Sequence, residues 1–361
     1  LCKKWLQSCV ESHERCSSPS AQHKPPTRLL AIRGTTLQLC ETTKRQIPVK
    51  YATLSHCWGS KEFLKLGKDN LNIFHLSIPY DKLPKTFQDA IFIARYLGFD
   101  YLWIDSLCII QNDEDDWERE STLMTNVYGG SSLNIAAASA EDGSVGCFFQ
   151  RERHWRTQLA LKTTSGTTLH DVGRYFANYP ERKPLFERGW VLQERYLPPR
   201  TLYFHEEEIL WDCKETSCCE SSSIVDRNLI SGMVSRDKWW DMVERYSDMT
   251  LTEPSDKLVA IGGLAKVIQT QTGDEYVAGL WRQGLELQLL WWASPFRKKA
   301  ETYVAPTWSW ASIDGRIWSD EPEAGSETKP YIQVCNVAVD YTSASPFGQV
   351  RGGTIQLSCK Y

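Results

Sequence analysis

Between Tyr51 and Ala138 the sequence keeps one rhythm: a short apolar run, a helical stripe, and an apolar run again. Tyr51–Ser55, Tyr101–Ile104 and Leu133–Ala138 read as short strands, the second one buried. Between the first two, Phe87, Ala90, Ile91, Ala94 and Leu97 share one helical stripe, opened by Pro84 and closed by Gly98. Trp117, Leu123, Met124, Val127 and Tyr128 form the next stripe. Asp115 or Asp116 is placed to cap it, Glu118 and Glu120 sit in or near its first turn, and Gly129-Gly130 ends it. Strand, helix, strand, helix, strand predicts parallel pairing through right-handed crossovers, and so an α/β core.

The flanks break this rhythm. Residues 2–16 read as a helix with Trp5, Leu6, Cys9, His13 and Cys16 on one face, followed by a polar linker to Pro26. Arg28–Ile32 and Thr36–Cys40 around Gly34 read as a hairpin. After Ala138 the pattern predicts a hairpin over 157–172 across Ser165-Gly166, and a short helix Trp190–Leu197 stopped by Pro198-Pro199. Strands Thr201–Phe204 and Ile209–Trp211 follow. Residues 236–248, 255–270 and 275–292 carry helical stripes, and a β-rich part begins at Pro306 and includes Thr354–Cys359. The division expected is an N-terminal extension over 1–50, a core over 51–225 and a C-terminal helical and β-rich extension over 226–361.

Composition narrows the function. Lys and Arg total 41 against 45 Asp and Glu, a formal charge of −4, which lacks the basic excess of a general nucleic-acid or membrane-surface binder. No apolar run is long enough to span a bilayer, and Leu1–Trp5 opens no secretory signal. These features predict an intracellular, cytoplasmic protein whose 12 cysteines stay reduced. The 15 tryptophans predict large aromatic clusters.

Two stretches could carry chemistry. Ser55-His56-Cys57-Trp58-Gly59 and Asp105-Ser106-Leu107-Cys108 both follow strands, at the edge where open parallel sheets bind ligands. His, Cys and Asp there suit a thiol nucleophile with its base, or packed residues that shape a loop. Adjacent residues on a strand point to opposite faces, so His56 is poorly placed to activate Cys57. In Arg188-Gly189-Trp190-Val191-Leu192-Gln193-Glu194-Arg195, Trp190 and Glu194 are four residues apart on one helical face. An aromatic wall beside a carboxylate suits a ligand that becomes cationic as it reacts, whereas a solvated ion pair with Arg188, Arg195 or Arg200 is the plain alternative. Cys9, His13 and Cys16 offer soft ligands for zinc, yet without a Cys-x2-Cys pair they read first as small side chains on a buried face. Cys213, Cys218 and Cys219 read as structural or as a loose redox-sensitive loop, and no cofactor is required.

Three ordered blocks carry a family resemblance. Tyr51–Gly59 resembles the opening motif of the fungal heterokaryon incompatibility (HET) domain. Leu102–Gln111, with Asp115, Trp117, Glu120, Met124 and Tyr128, resembles its central block, and Arg188–Glu194 with Arg200 its third. The resemblance implies a filamentous-fungal protein linked to non-self recognition and programmed cell death. HET domains are in turn distantly similar to TIR domains, which implies a flavodoxin-like, mainly parallel sheet with helices on both faces. Some TIR domains hydrolyse the nicotinamide–ribose bond of NAD with a helical Glu, and Trp190–Glu194 resembles that stretch. The resemblance therefore implies Glu194 as catalytic, with His56, Cys57 and Asp105 lining the pocket. Ser55, Trp58, Gly59, Cys108, Arg188 and Trp190 would contact a nucleotide or other small-molecule substrate, NAD being substrate rather than cofactor. The rival expectations are a non-catalytic module that self-associates or recruits an effector partner, and a small-metabolite enzyme using Cys57 or His56.

Overall fold

The computed structural model describes residues 1–16, 24–34, 36–42, 50–151, 160–162, 168–170, 183–220, 234–293, 302–321 and 329–359. The chain divides into two compact units, Leu1–Phe186 with Leu197–Gly232, and Glu187–Tyr196 with Met233–Tyr361.

The first unit holds β1 (Arg28–Ala31), β2 (Gln38–Glu41), β3 (Tyr51–Ser55), β4 (Tyr101–Trp103), β5 (Leu133–Ala136), β6 (Ala160–Lys162), β7 (Thr168–His170), β8 (Arg200–Phe204), β9 (Ile209–Cys213) and β10 (Ser217–Cys219). Eight of these build one sheet in the order β10-β9-β8-β5-β3-β4-β1-β2. The four central strands are parallel, with Ala52 in register with both Leu102 and Leu133. The two strands at each edge pair antiparallel, so the sheet is mixed around a parallel centre. Numbered along the chain, the parallel strands run 2-1-3-4 across the sheet. The winding reverses between β3 and β5, which makes their carboxyl ends a topological switch point. All residues of β3 and β5 are buried, their polar members included. Those polar groups satisfy one another: the Thr53 hydroxyl donates to Asn134 Oδ1 at 2.9 Å, and Asn134 Nδ2 donates to Ser55 Oγ at 3.0 Å.

The helices of this unit include α1 (Cys2–Ser12), α2 (Lys85–Leu97), α3 (Asp105–Cys108) and α4 (Glu114–Gly129), with a short helix over Leu71–Leu76 besides. α2 follows Pro84 and ends on Gly98 at φ +89°, the left-handed stop that glycine permits. α1 is shorter than the expected 2–16 helix, because His13 is extended and Glu14–Cys16 forms a separate 3-10 turn. The expected cap of α4 is also corrected. Asp113 holds the N-cap position, and Asp116 turns inward to accept from Arg28 and from the Ile110 backbone N–H at 2.8 Å. β6 and β7 form the expected antiparallel pair, while its turn at Ser165-Gly166 and the linker over 17–23 lie outside the described residues.

The second unit contains α5 (Val191–Tyr196), α6 (Trp239–Ser247), α7 (Val259–Thr272) and α8 (Leu285–Gln288). Segment 187–196, which the sequence places within the 51–225 core, is grouped here. Gln193 Nε2 fixes α5 by donating to the Ala260 carbonyl at 2.6 Å, and Gly189 N–H donates to Thr250 O at 2.8 Å. No continuous helix spans 275–292. Tyr276–Val277 and Leu280–Trp281 pair antiparallel around Ala278 and Gly279, both at positive φ, which are the dihedrals of a primed hairpin turn. The Gly279 carbonyl accepts both indole N–H groups of Trp239 (3.1 Å) and Trp310 (2.8 Å), and a Cβ at Gly279 would stand 2.7 Å from Trp310 Nε1. Trp239, Tyr276 and Trp281 meet edge to face with centroids 5.4–5.8 Å apart, a cluster of the kind the tryptophan count predicts. Last come a pair made by Trp291–Ala293 with Ile317–Ser319, and a long hairpin of Ile332–Tyr341 with Val350–Cys359.

Arg28 generates a stability test. It is 5% exposed, pairs with Asp116, and lies 3.7 Å from Glu120, whose carboxyl is pushed up by burial. Arg28→Met leaves the two buried carboxylates with only the half-exposed Arg119 as cation, and should cost at most about 3–5 kcal/mol, read as a lowered urea midpoint at pH 7.

Candidate functional site

The carboxyl end of β3 turns into His56-Cys57-Trp58-Gly59, and the end of β4 leads into Asp105 at the start of α3. Trp58 Nε1 donates to Asp105 Oδ2 at 2.8 Å, and the Ser106 backbone N–H donates to Oδ1 at 2.7 Å. With its charge so held, Oδ1 also lies 3.7 Å from His56 Nε2, an ion-pair distance when the imidazole is protonated. Phe87 packs edge-on against the His56 ring at 4.8 Å, and Phe63 bridges Phe87 and Trp58 at 5.7 Å to each. The loop carrying Phe63 is tied down on both sides: Leu66 N–H donates to Ser106 O, and Gln111 N–H donates to Leu66 O. His56 is only 2% exposed as a result.

Gly59 answers a close approach across the switch point. It has φ +67°, and a Cβ there would collide with Cβ of Asp142, in the loop that follows β5. Asp142 pairs with Lys61 at 2.8 Å and accepts from the Ser144 backbone N–H at 2.7 Å. The Lys61 and Ser144 hydrogen bonds hold its carboxyl down at about 2. Sequence reasoning missed Asp142, Phe63 and Phe87 as neighbours of this edge. Only Gly59 hinted at the approach, and nothing local said what approaches.

The structure therefore gathers Ser55, His56, Cys57, Trp58, Gly59, Asp105 and Cys108 in the first unit. A positioned carboxylate beside an imidazole is the equipment of general acid–base chemistry. The thiols are less suited to attack. Burial pushes Cys108 up to about 12, so it stays a thiol at neutral pH, and Cys57 is 6% exposed. An open cleft of about 370 Å³ lined by Thr36, Leu37, Ser77, Ile78, Pro79, Tyr80 and Arg95 includes none of these residues, and no carboxylate or thiol.

Arg188, Trp190 and Glu194 belong to the second unit. Glu194 lies in α5 and is 4% exposed, so it is not the solvated carboxylate of the plain alternative. Trp190 Nε1 donates to Asp256 Oδ2 at 3.3 Å. Asp256 was invisible as a site residue in the sequence. Burial, the larger cause, and the charge of Glu253 raise its carboxyl to about 6 against the weaker pull of the Trp190 N–H.

A third group lies elsewhere in the first unit. Cys9, His13 and Cys16 meet Cys213 of β9, with all four ligand atoms within 4.8 Å of one another, a set able to bind a metal ion. Cys213 thereby parts from Cys218 and Cys219, which are buried on β10 rather than in a loose loop.

A parallel-centred sheet with polar and aromatic side chains at its switch point defines an α/β protein with a ligand-type edge. Residues 51–194 match the family model for Heterokaryon incompatibility protein (HET), so the chain carries a HET domain, which points to a role in heterokaryon incompatibility. No curated protein and no solved structure matches the chain. Among the described residues no helix is long and apolar enough to cross a membrane.

Asp256 supplies a pH test. A carboxyl raised in the folded state stabilises below its unfolded value, near 4, and that contribution is lost as pH rises through about 6. Asp256→Asn should therefore match the parent at pH 4 and exceed its urea midpoint at pH 7. Equal midpoints at both pH values would refute the burial cost.

Proposed function

We propose that the chain is an effector of fungal non-self recognition and programmed cell death that hydrolyses the nicotinamide–ribose bond of NAD. The observation that carries this reading is Glu194: a carboxylate 4% exposed, on a short helix that begins just after Trp190. The 2-1-3-4 order of the parallel strands supports the flavodoxin-like architecture that the TIR resemblance implies.

In this reading the C1′–N bond of the nicotinamide riboside breaks, its electrons leave with neutral nicotinamide, and water adds to C1′, releasing ADP-ribose and a proton. Positive charge develops on the ribose as the bond lengthens. Glu194 would stabilise that oxocarbenium-like state and orient the ribose diol or the water. Trp190 would stack on a ring of the dinucleotide, and Arg188, in the same segment as Glu194, would meet its phosphates. In the first unit, His56, Cys57 and Asp105, with Ser55, Trp58, Gly59 and Cys108 beside them, remain the candidate lining for a ligand at the strand ends.

A second reading, a non-catalytic interaction module, is favoured by one surface. Phe92, Tyr96 and Phe148 are each at least half exposed, and Phe92 contacts both others at 6.0–6.4 Å. A cytoplasmic setting suits either reading.

The deciding measurement is nicotinamide release from NAD by the purified chain at low and high concentration. Glu194→Gln should keep the fold and lower turnover at least about 100-fold, and specific activity that rises with concentration would mark activation by assembly. Full activity in Glu194→Gln would remove that residue from the mechanism. No release under any condition, together with concentration-dependent self-association, would establish the interaction module instead.

A further inference from the structure

The Cys9–His13–Cys16–Cys213 cluster is used by neither reading. Cys9 lies in α1, His13 just beyond its end, Cys16 closes the 3-10 turn, and Cys213 is the last residue of β9, 200 residues from His13. His13 Nδ1 stands 3.3 Å from Cys213 Sγ. A tetrahedral zinc ion, with Zn–S about 2.3 Å and Zn–N about 2.0–2.1 Å, requires ligand-to-ligand edges of about 3.5–3.8 Å. The cluster is within small side-chain adjustments of that figure.

Three observations separate a metal centre from thiols packed as small apolar groups. The first is Arg200, 7% exposed. Its Nε donates to Cys9 Sγ at 3.1 Å, and its two Nη atoms donate to the carbonyls of Cys16 (3.0 Å) and Ser132 (3.3 Å). No carboxylate among the described residues lies within ion-pair distance of it. A buried guanidinium needs a counter-charge, which neutral thiols do not supply. Three thiolates around a divalent ion leave one negative charge, and Arg200 cancels it. The second is the Thr216 backbone N–H, which donates to Cys213 Sγ at 3.3 Å. Such outer donors orient a ligating thiolate and stabilise its charge. The third is the break in α1. In one continuous helix, Cys9 and Cys16 would stand about 10.5 Å apart along the axis, too far to share an ion. The chain instead turns extended at His13, though no Gly or Pro lies between Ser12 and Cys16.

We propose that Cys9, His13, Cys16 and Cys213 form a closed, four-coordinate zinc site. With every position filled by protein the site is structural: it clamps α1 and its turn onto β9. The contact from Arg15 N–H to Glu215 Oε1, at 2.6 Å, runs beside the same clamp.

The test uses the full chain purified under reducing conditions. Elemental analysis should find about one zinc per chain, the full complement of a single closed site. After chelation, added Co(II) should give the intense visible bands of tetrahedral cobalt with thiolate charge transfer. Cys213→Ser should lose both signals, whereas Cys335→Ser, at an exposed cysteine, should keep them. Should Cys213→Ser fail to fold, the parent protein decides: chelation should lower its melting temperature, and zinc but not magnesium should restore it. Three results overturn the proposal: a folded, reduced parent that holds no zinc and gives no cobalt bands, zinc content unchanged in Cys213→Ser, or Cys9 and Cys16 joined as a disulfide in the isolated chain.

Discussion

The buried pair of Arg28 and Asp116 is a constraint on which several elements of the first unit depend. Arg28 lies on β1 and also donates Nε to the Cys108 carbonyl at 2.7 Å, at the end of α3. Asp116 lies in α4 and accepts the Ile110 N–H in the connection between α3 and α4. One ion pair thus joins the strand next to the sheet's edge, the short helix that begins with Asp105, and the helix that follows. Two ions out of water are costly to bury, and the saturation of their hydrogen-bonding atoms is what makes the arrangement tolerable. The helix so anchored at Cys108 is the one whose first residue, Asp105, faces His56.

The second unit solves a different problem, how to bury large indoles that each carry a polar N–H. Gly279 O takes two of them, Trp308 O takes that of Trp291 at 2.9 Å, and Asp256 takes that of Trp190. The last of these couples an aromatic ring to a carboxyl held near 6, and ties the start of α5 to the residues just before α7.

The parallel centre was legible because its strands are apolar runs bracketed by helical stripes with proper stops at Pro84 and Gly98. The edge carrying His56 and Asp105 was legible because residues directly after such strands have a known place in a sheet. Chemistry that depends on distance along the chain was not. Cys213 joins Cys9, His13 and Cys16 from 200 residues away, and no local spacing announces it. Residues 275–292 carried a helical stripe, but Gly279 and Gly284 at positive φ, with the two indoles on the Gly279 carbonyl, overrode it. Asp116 had the position of a cap and was claimed by Arg28 instead. Segment 187–196 follows the first unit's sequence and belongs with the second because its side-chain partners, Ala260 and Asp256, come later.

The chain thus leaves the first unit at Phe186, visits the second for ten residues, and returns at Leu197 to lay down β8 beside β5. The family match ends at 194, before that return. A fragment cut to the match would present β5, normally buried along its whole length, as a bare edge in the middle of a continuous sheet, and would carry only the first four residues of α5 without the helix that receives Gln193. Such an edge is a template for pairing with other chains. For this protein the shortest segment that keeps the central sheet whole is set by where the strands close, not by where the recognisable motif stops.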